Sequence, residues 1–102
     1  MKRTIVEQFT SSDEGMKLFQ QESLILEITE LVCKLMEAKE INKTELAAKL
    51  NRSKGYITQL LNGTANMTIR TISDVMWALD SSLHVKAGPL SIEAREPHTN
   101  NR

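Results

Sequence analysis

Residues 43–63, KTELAAKLNRSKGYITQLLNG, limit the folds open to this chain more than any other segment. Their pattern predicts a short helix over residues 44–50 and a second helix that starts after Ser53 and ends at Asn62. Asn51 suits the sharp turn between them because asparagine tolerates the left-handed backbone conformation. Two short helices that cross steeply form a helix-turn-helix, whose second helix enters the major groove of DNA. DNA binding is therefore our leading hypothesis.

Positive charge is concentrated in the same part of the chain. The 102 residues carry 13 basic and 13 acidic side chains, so the formal net charge is zero. Residues 43–70, however, contain five Lys or Arg and only Glu45 as an acid. Residues 1–42 contain five basic and eight acidic side chains, and residues 71–102 contain three basic and four acidic ones. A local positive field attracts a polyanion even when the whole chain is neutral.

Length and cysteine content exclude several classes of protein. A chain of 102 residues predicts one domain with a modest core. The single cysteine, Cys33, cannot form an intramolecular disulfide, which fits a reducing cytoplasm, and its apolar helical setting predicts a buried structural thiol. No apolar run approaches the roughly 18 residues of a membrane span. Residues 1–10 lack the apolar segment of a secretory signal. We expect a cytoplasmic protein that does not enter a membrane.

No pattern of catalytic or metal-binding residues emerges from the sequence. His84 and His98 are isolated, and no cysteine and histidine residues have the spacing of metal ligands. The acidic residues at positions 27, 30, 37 and 40 recur at helical spacing, which is typical of a solvated helix face. No nucleophile–base pair and no phosphate-binding loop is recognisable. We therefore expect neither an enzyme nor a bound cofactor.

Two further helices are predicted to flank the motif. Ser12 and the acids after it mark a helix start, and the chain favours helix from there to Glu40, with Ser23 as a candidate break or second helix start. Thr68 caps a helix that reaches about Asp80. The predicted inner faces comprise Leu24, Ile25, Ile28, Leu31, Val32, Leu35 and Met36 in the first helix and Ile69, Ile72, Val75, Met76 and Leu79 in the second.

The periodicity of the sequence changes after the last predicted helix. Apolar and polar residues alternate over residues 82–87, which predicts a half-exposed strand. A single strand is unstable in water, so it needs a partner, either the same strand of a second subunit or residues 4–9. This requirement predicts a homodimer. Trp77 falls off the inner stripe of its helix and belongs either to the core or to the dimer interface.

The motif resembles the helix-turn-helix of the lambda-repressor/Cro-like family, often called the Xre family. The match runs without a gap over residues 43–63 and continues through NMTIRTISDVMWALD; with the first helix it covers residues 24–80. The resemblance implies a transcriptional regulator that binds double-stranded operator DNA as a dimer, usually as a repressor. Asn51 replaces a common turn glycine, and the chain beyond Asp80 is closer to small antitoxin-like members. An antitoxin or interaction module that neutralises a toxin partner is therefore the alternative.

The expected DNA contacts lie on and beside the second helix of the motif. Gln59 can pair with adenine, and Lys54 can donate to guanine or to phosphate. Gly55 would let the backbone come close to the DNA. Tyr56 either contacts phosphate or packs against the domain.

Other positions are better suited to the DNA backbone than to the bases. Lys43, Arg52 and Asn62 are read as phosphate contacts, which position a protein on DNA but carry little sequence information. The resemblance places Lys43 with the residues that reach base edges or nearby phosphates, and Asn62 at a backbone-contacting position. The complete predicted set is Lys43, Thr44, Arg52, Ser53, Lys54, Gly55, Tyr56, Thr58, Gln59 and Asn62.

The predicted fold is an all-α, lambda-repressor-like helix-turn-helix bundle of about five helices with a short C-terminal β-strand. Residues 1–22 would form an N-terminal arm and a first helical segment, and residues 23–80 the DNA-binding domain. Residues 81–90 would form the strand and a turn, with a role in dimerisation. Residues 91–102 are polar and would form a flexible tail.

Overall fold

Four helices form the part of the protein that the computed structural model describes, residues 12–90. Helix α1 spans Asp13–Lys39, α2 spans Lys43–Leu50, α3 spans Lys54–Leu61 and α4 spans Ile69–Ala78. Helix α2 packs against α3 and α4, and α1 packs against α3. The predicted all-α helix-turn-helix bundle is confirmed. The predictions of about five helices and a C-terminal strand are wrong for the described residues.

Each helix begins at a side-chain cap. The hydroxyls of Ser12, Ser53 and Thr68 each accept a hydrogen bond from the backbone N–H three residues later, at 3.0–3.1 Å. Asn42 and Glu45 form a reciprocal capping box at the start of α2, with distances of 2.8 and 2.9 Å. These bonds satisfy N–H groups that the first helical turn leaves without a partner. The predicted helix starts at Ser12, Ser53 and Thr68 are therefore confirmed.

One apolar cluster joins the four helices. Leu46 of α2, Ile57 of α3 and Leu79 after α4 are completely buried. The full cluster comprises Val32, Met36, Leu46, Ala47, Ile57, Leu60, Val75, Met76, Ala78 and Leu79. Burial of this kind, more than helix propensity, stabilises helices as short as α2 and α3.

Helix α1 differs from the sequence prediction in three respects. It runs without interruption through Ser23, so the predicted break is wrong, and the expected boundary between residues 22 and 23 falls inside the helix. Leu24 is 57% exposed, and Cys33 is exposed instead of buried. The buried stripe of α1 passes through Val32 and Met36. Cys33 follows Val32 by one residue, which rotates its side chain by about 100° away from that stripe.

Helix α4 follows the predicted inner stripe except in its first turn. Val75, Met76 and Leu79 are buried, as predicted, but Ile69 is 84% exposed. Ile69 is the first residue of α4, and no neighbouring helix covers it there. Trp77 is 69% exposed, which excludes a place in the core. The interface alternative for Trp77 stays a prediction.

The segment after α4 does not form the predicted strand. Residues 82–90 have no strand assignment. Leu83 packs against the core, but Val85 is 86% exposed, whereas a half-exposed strand would turn both side chains to the same face. A strand is defined by a ladder of backbone hydrogen bonds to a neighbouring strand, and residues 12–90 of this single chain contain no strand. The other proposed partner, residues 4–9, and the predicted tail, residues 91–102, lie outside the described part.

Gly63 begins the loop after α3 in a conformation that side chains disfavour. Its φ is 81°, and a Cβ built on it would lie 3.1 Å from Cγ2 of Ile25 on α1. We expect Gly63→Ala to lower the free energy of unfolding by about 1–2 kcal/mol, through backbone strain and crowding. Urea denaturation followed by circular dichroism measures the change.

Gly55→Ala is the matched control for this substitution. Gly55 lies in the first turn of α3, and an added Cβ would meet only Ser53 Oγ, at 3.8 Å. Alanine is the better helix former there, so this variant is expected to be as stable as the parent or slightly more stable. A Gly63→Ala variant that matched Gly55→Ala in stability would contradict the strain at Gly63.

Candidate nucleic-acid interface

The turn between α2 and α3 determines the angle at which these two helices cross. Asn51 has the left-handed φ of 55° that the sequence predicts. The N–H of Arg52 donates to the carbonyl of Ala47 at 2.9 Å, which closes the end of α2. Ala47 is itself 5% exposed, so a small side chain stands where the helices approach each other. Ile57 and Leu60 then turn one face of α3 into the core.

The opposite face of α3 points to solvent and carries no acid. Lys54, Gly55, Thr58 and Gln59 are all exposed. The first turn of α3 contains no acidic residue, although an acid there would stabilise the helix dipole. A helix start with free N–H groups and a lysine attracts anions, including phosphate. The outward face of α3 is therefore polar and electropositive.

Two contacts between side chains organise the predicted residues. Lys43 Nζ donates to Thr58 Oγ1 at 3.4 Å and thus joins the start of α2 to the middle of α3. The guanidinium of Arg52 lies 3.9 Å from the centre of the Tyr56 ring. A cation over an aromatic ring is a favourable arrangement. Tyr56 is half-buried, so it packs beneath Arg52 and holds this charge at the motif surface.

Ser53 and Asn62 use part of their polar side chains within the protein. The hydroxyl oxygen of Ser53 accepts the N–H of Tyr56 at 3.0 Å. Asn62 Oδ1 accepts from the N–H of Thr64 at 3.1 Å and from its hydroxyl at 2.7 Å. Because an N–H can only donate, these bonds identify the amide oxygen and turn the NH₂ group of Asn62 outward. That NH₂ group can donate to a phosphate. Thr44 is exposed in the first turn of α2.

The loop after α3 adds candidates that the sequence analysis did not include. The carbonyl of Gln59 accepts the N–H groups of Thr64 and Ala65 at 3.0 and 3.1 Å, which attaches the loop to the last turn of α3. Thr64, Asn66, Thr68 and Arg70 are exposed along this loop and the start of α4. No acidic residue occurs over residues 46–73. That acid-free run is the sequence signal that could have identified them.

A comparison with protein families decides the class of this domain. A family model described as the Cro/C1-type HTH DNA-binding domain matches residues 33–83, half of the 102-residue chain. The chain belongs to this family. The predicted relationship to lambda-repressor/Cro-like regulators is thereby confirmed. Comparison with curated proteins and with solved structures gave no match.

The Cro/C1-type match divides α1 in two. It begins at Cys33, so the longer, N-terminal part of α1 precedes the matched domain, which contains α2, α3 and α4 completely. Within residues 12–90, no group of side chains has a composition that could hold a metal ion. No helix in this part of the chain has the length and apolar character needed to cross a membrane.

Proposed function

We propose that the protein is a sequence-specific transcriptional regulator that binds a two-fold operator as a homodimer and represses the adjacent genes, its own among them. One observation carries the proposal: α3 buries Ile57 and Leu60 and presents Lys54, Thr58 and Gln59 outward on an acid-free face. A helix of this kind fits the major groove, where base edges are distinguishable. A protein bound at a promoter blocks RNA polymerase, which is the physical basis of repression.

Gln59 and Lys54 are the proposed base readers. A glutamine amide can make two hydrogen bonds with adenine, and a lysine can donate to guanine. Both side chains are exposed on α3, and the polar atoms of the Gln59 side chain are not needed to hold the loop, since that role falls to its backbone carbonyl. In a homodimer, two α3 helices would read half-sites about 34 Å apart.

The proposed phosphate contacts surround α3. Donors are supplied by Lys43 beside the middle of this helix, by Arg52 just before its start and by the NH₂ group of Asn62 at its end. The proposed surface is completed by Thr44, Ser53, Gly55, Tyr56 and Thr58. Contacts to phosphate position the protein and make affinity depend on salt, while the bases supply the preference among sequences.

Fluorescence anisotropy tests the proposal directly. The full chain is titrated into labelled DNA from upstream of its own gene and into scrambled DNA of equal length, across a salt series. Tighter binding to the upstream DNA that weakens with salt would support autoregulation by an operator-binding protein. Equal, weak binding to both would contradict autoregulation. A pull-down would then test the antitoxin alternative, in which the domain binds a toxin protein.

Arg52→Ala is expected to weaken binding to every DNA sequence by about three- to tenfold and to reduce the salt slope by about one. Arg52 is exposed and held over Tyr56, so its charge lies at the surface of the motif. Anisotropy against operator and scrambled DNA measures both effects. Lys17→Ala removes an exposed basic residue from α1 and serves as the control. If Arg52→Ala changed only the preference among sequences, the phosphate assignment would be wrong.

A further inference from the structure

A shallow groove lies on α1, apart from the residues proposed to contact DNA. It has a volume of about 470 Å³ and is open along one side. Leu26 is 51% exposed in its lining, and Cys33 is exposed as well. The lining consists of Leu26, Thr29, Glu30, Cys33 and Lys34 of α1 and Leu61 at the end of α3. None of these residues belongs to the proposed DNA-binding surface.

The shape of the groove favours a helix over a small molecule. Small-molecule sites enclose most of their ligand, and an open groove cannot do so. Leu26 and Cys33, which both line the groove, lie seven residues apart along α1. Residues seven positions apart lie almost on one line along a helix, so a single packed helix can cover both. A helix that lay along α1 would cover Leu26 and Cys33 over the length of the groove.

The charges of the groove favour a second copy of this chain as the source of that helix. Glu30 and Lys34 are both exposed and lie one helical turn apart in the lining. A two-fold contact repeats each pair, so Glu30 meets the partner's Lys34 wherever Lys34 meets the partner's Glu30. Antiparallel helices allow this arrangement. Parallel helices would instead place Glu30 beside the partner's Glu30, which is repulsive.

We propose that this groove is a homodimer interface in which α1 packs antiparallel against α1 of a second copy, with Glu30 of each copy opposite Lys34 of the other. The inference rests on the proposed function, because the proposed two-fold operator requires a homodimer. It assigns that dimer to α1 in place of the strand interface expected for residues 81–90.

The charge pair gives a test that needs no DNA. Sedimentation equilibrium over micromolar concentrations is applied to the parent, Glu30→Lys, Lys34→Glu and the double variant Glu30→Lys/Lys34→Glu. Each single change occurs twice in the dimer and replaces attraction by repulsion, so we expect the dimer dissociation constant to rise by about tenfold. The double variant restores opposite charges and is expected to return to within about threefold of the parent.

Control variants separate the interface from general charge and folding effects. Glu14→Lys makes the same change in net charge as Glu30→Lys, but at an exposed position of α1 outside the groove. It is expected to leave the dimer dissociation constant unchanged. Far-UV circular dichroism of each variant checks that the helices are retained. Glu30 and Lys34 are exposed, so neither substitution removes core packing.

Cys33 reports on the same interface because it is the only cysteine in the chain. With Glu30 opposite the partner's Lys34, the two-fold axis crosses α1 at the level of residue 32, midway between positions 30 and 34. The two Cys33 side chains then lie within one helix–helix spacing of about 8–10 Å. A short bismaleimide is therefore expected to link two copies of the parent and of the double variant. Much less covalent dimer is expected from either single variant.

The outcomes distinguish the interface from the proposed function. A stable parent dimer that tolerated both single variants and gave no Cys33 cross-link would overturn the α1 interface and leave a DNA-binding homodimer intact. A monomeric parent would overturn both the interface and the homodimer. Loss of dimer in the single variants, with recovery in the double variant and cross-linking at Cys33, would support the proposal whether or not the upstream DNA proved to be the operator.

Discussion

Ile57→Ala is expected to lower the free energy of unfolding by about 3–4 kcal/mol. Ile57 is completely buried and, with Leu60, forms the core-facing side of α3. The change removes three carbons and leaves a cavity between short helices that depend on packing. A domain of this size is stable by about 5–15 kcal/mol, so the loss is a large fraction of the total. Urea denaturation followed by circular dichroism measures it.

Leu24→Ala is the matched control, since it also truncates an aliphatic side chain in a helix. Leu24 is 57% exposed, and its loss is expected to change stability by no more than about 0.5 kcal/mol. Ile57→Ala should also weaken DNA binding at temperatures near its midpoint of unfolding, because α3 then loses its position. Equal stability losses in the two variants would contradict the packing of α3 described above.

Gln59→Ala is expected to remove the preference for one base pair in each half-site, at a cost of about 1–3 kcal/mol on the operator. Binding to DNA already substituted at that pair is expected to change little, because the lost hydrogen bonds are made only with the preferred base. Anisotropy against a panel of operators, each with one base pair replaced, measures both quantities. The backbone carbonyl that holds Thr64 and Ala65 remains in the variant, so the loop keeps its attachment to α3.

Gln21→Ala makes the same substitution at an exposed site of α1 and is expected to have no effect on DNA binding. If Gln59→Ala altered neither affinity nor preference, α3 would sit in the groove in another register. Lys54 or Thr58, which share its exposed face, would then be the residues to test by the same panel.

Local features of this domain were predictable because their causes are local. Ser53 and Thr68 cap their helices through hydrogen bonds to the third residue beyond, and Asn51 adopts its left-handed turn within the motif itself. The exposed face of α3 was equally predictable, because burial of Ile57 and Leu60 on a helix determines which residues point outward. Whether those outward residues contact DNA is a proposal that the binding experiments address.

Burial along the long helices was less predictable. Helical periodicity identifies a face, but it does not tell how far along that face the neighbouring helices extend. Ile69 lies on the correct stripe of α4 and is nevertheless 84% exposed. Cys33 and Leu24 were misassigned on α1 because several stripes of that helix carry apolar residues, and only the packing of α3 selects one as the core.

The sequence by itself determined the helix starts, the turn of the motif and the outward residues of α3, since each follows from hydrogen bonds or spacing within a few residues. Only the tertiary structure decided that Lys43 donates a hydrogen bond to Thr58, fifteen positions away, and that Leu61 lines the groove on α1. It also decided that residues 82–87 form no strand. These outcomes depend on which distant surfaces come within contact distance, and that is settled by packing of the whole domain.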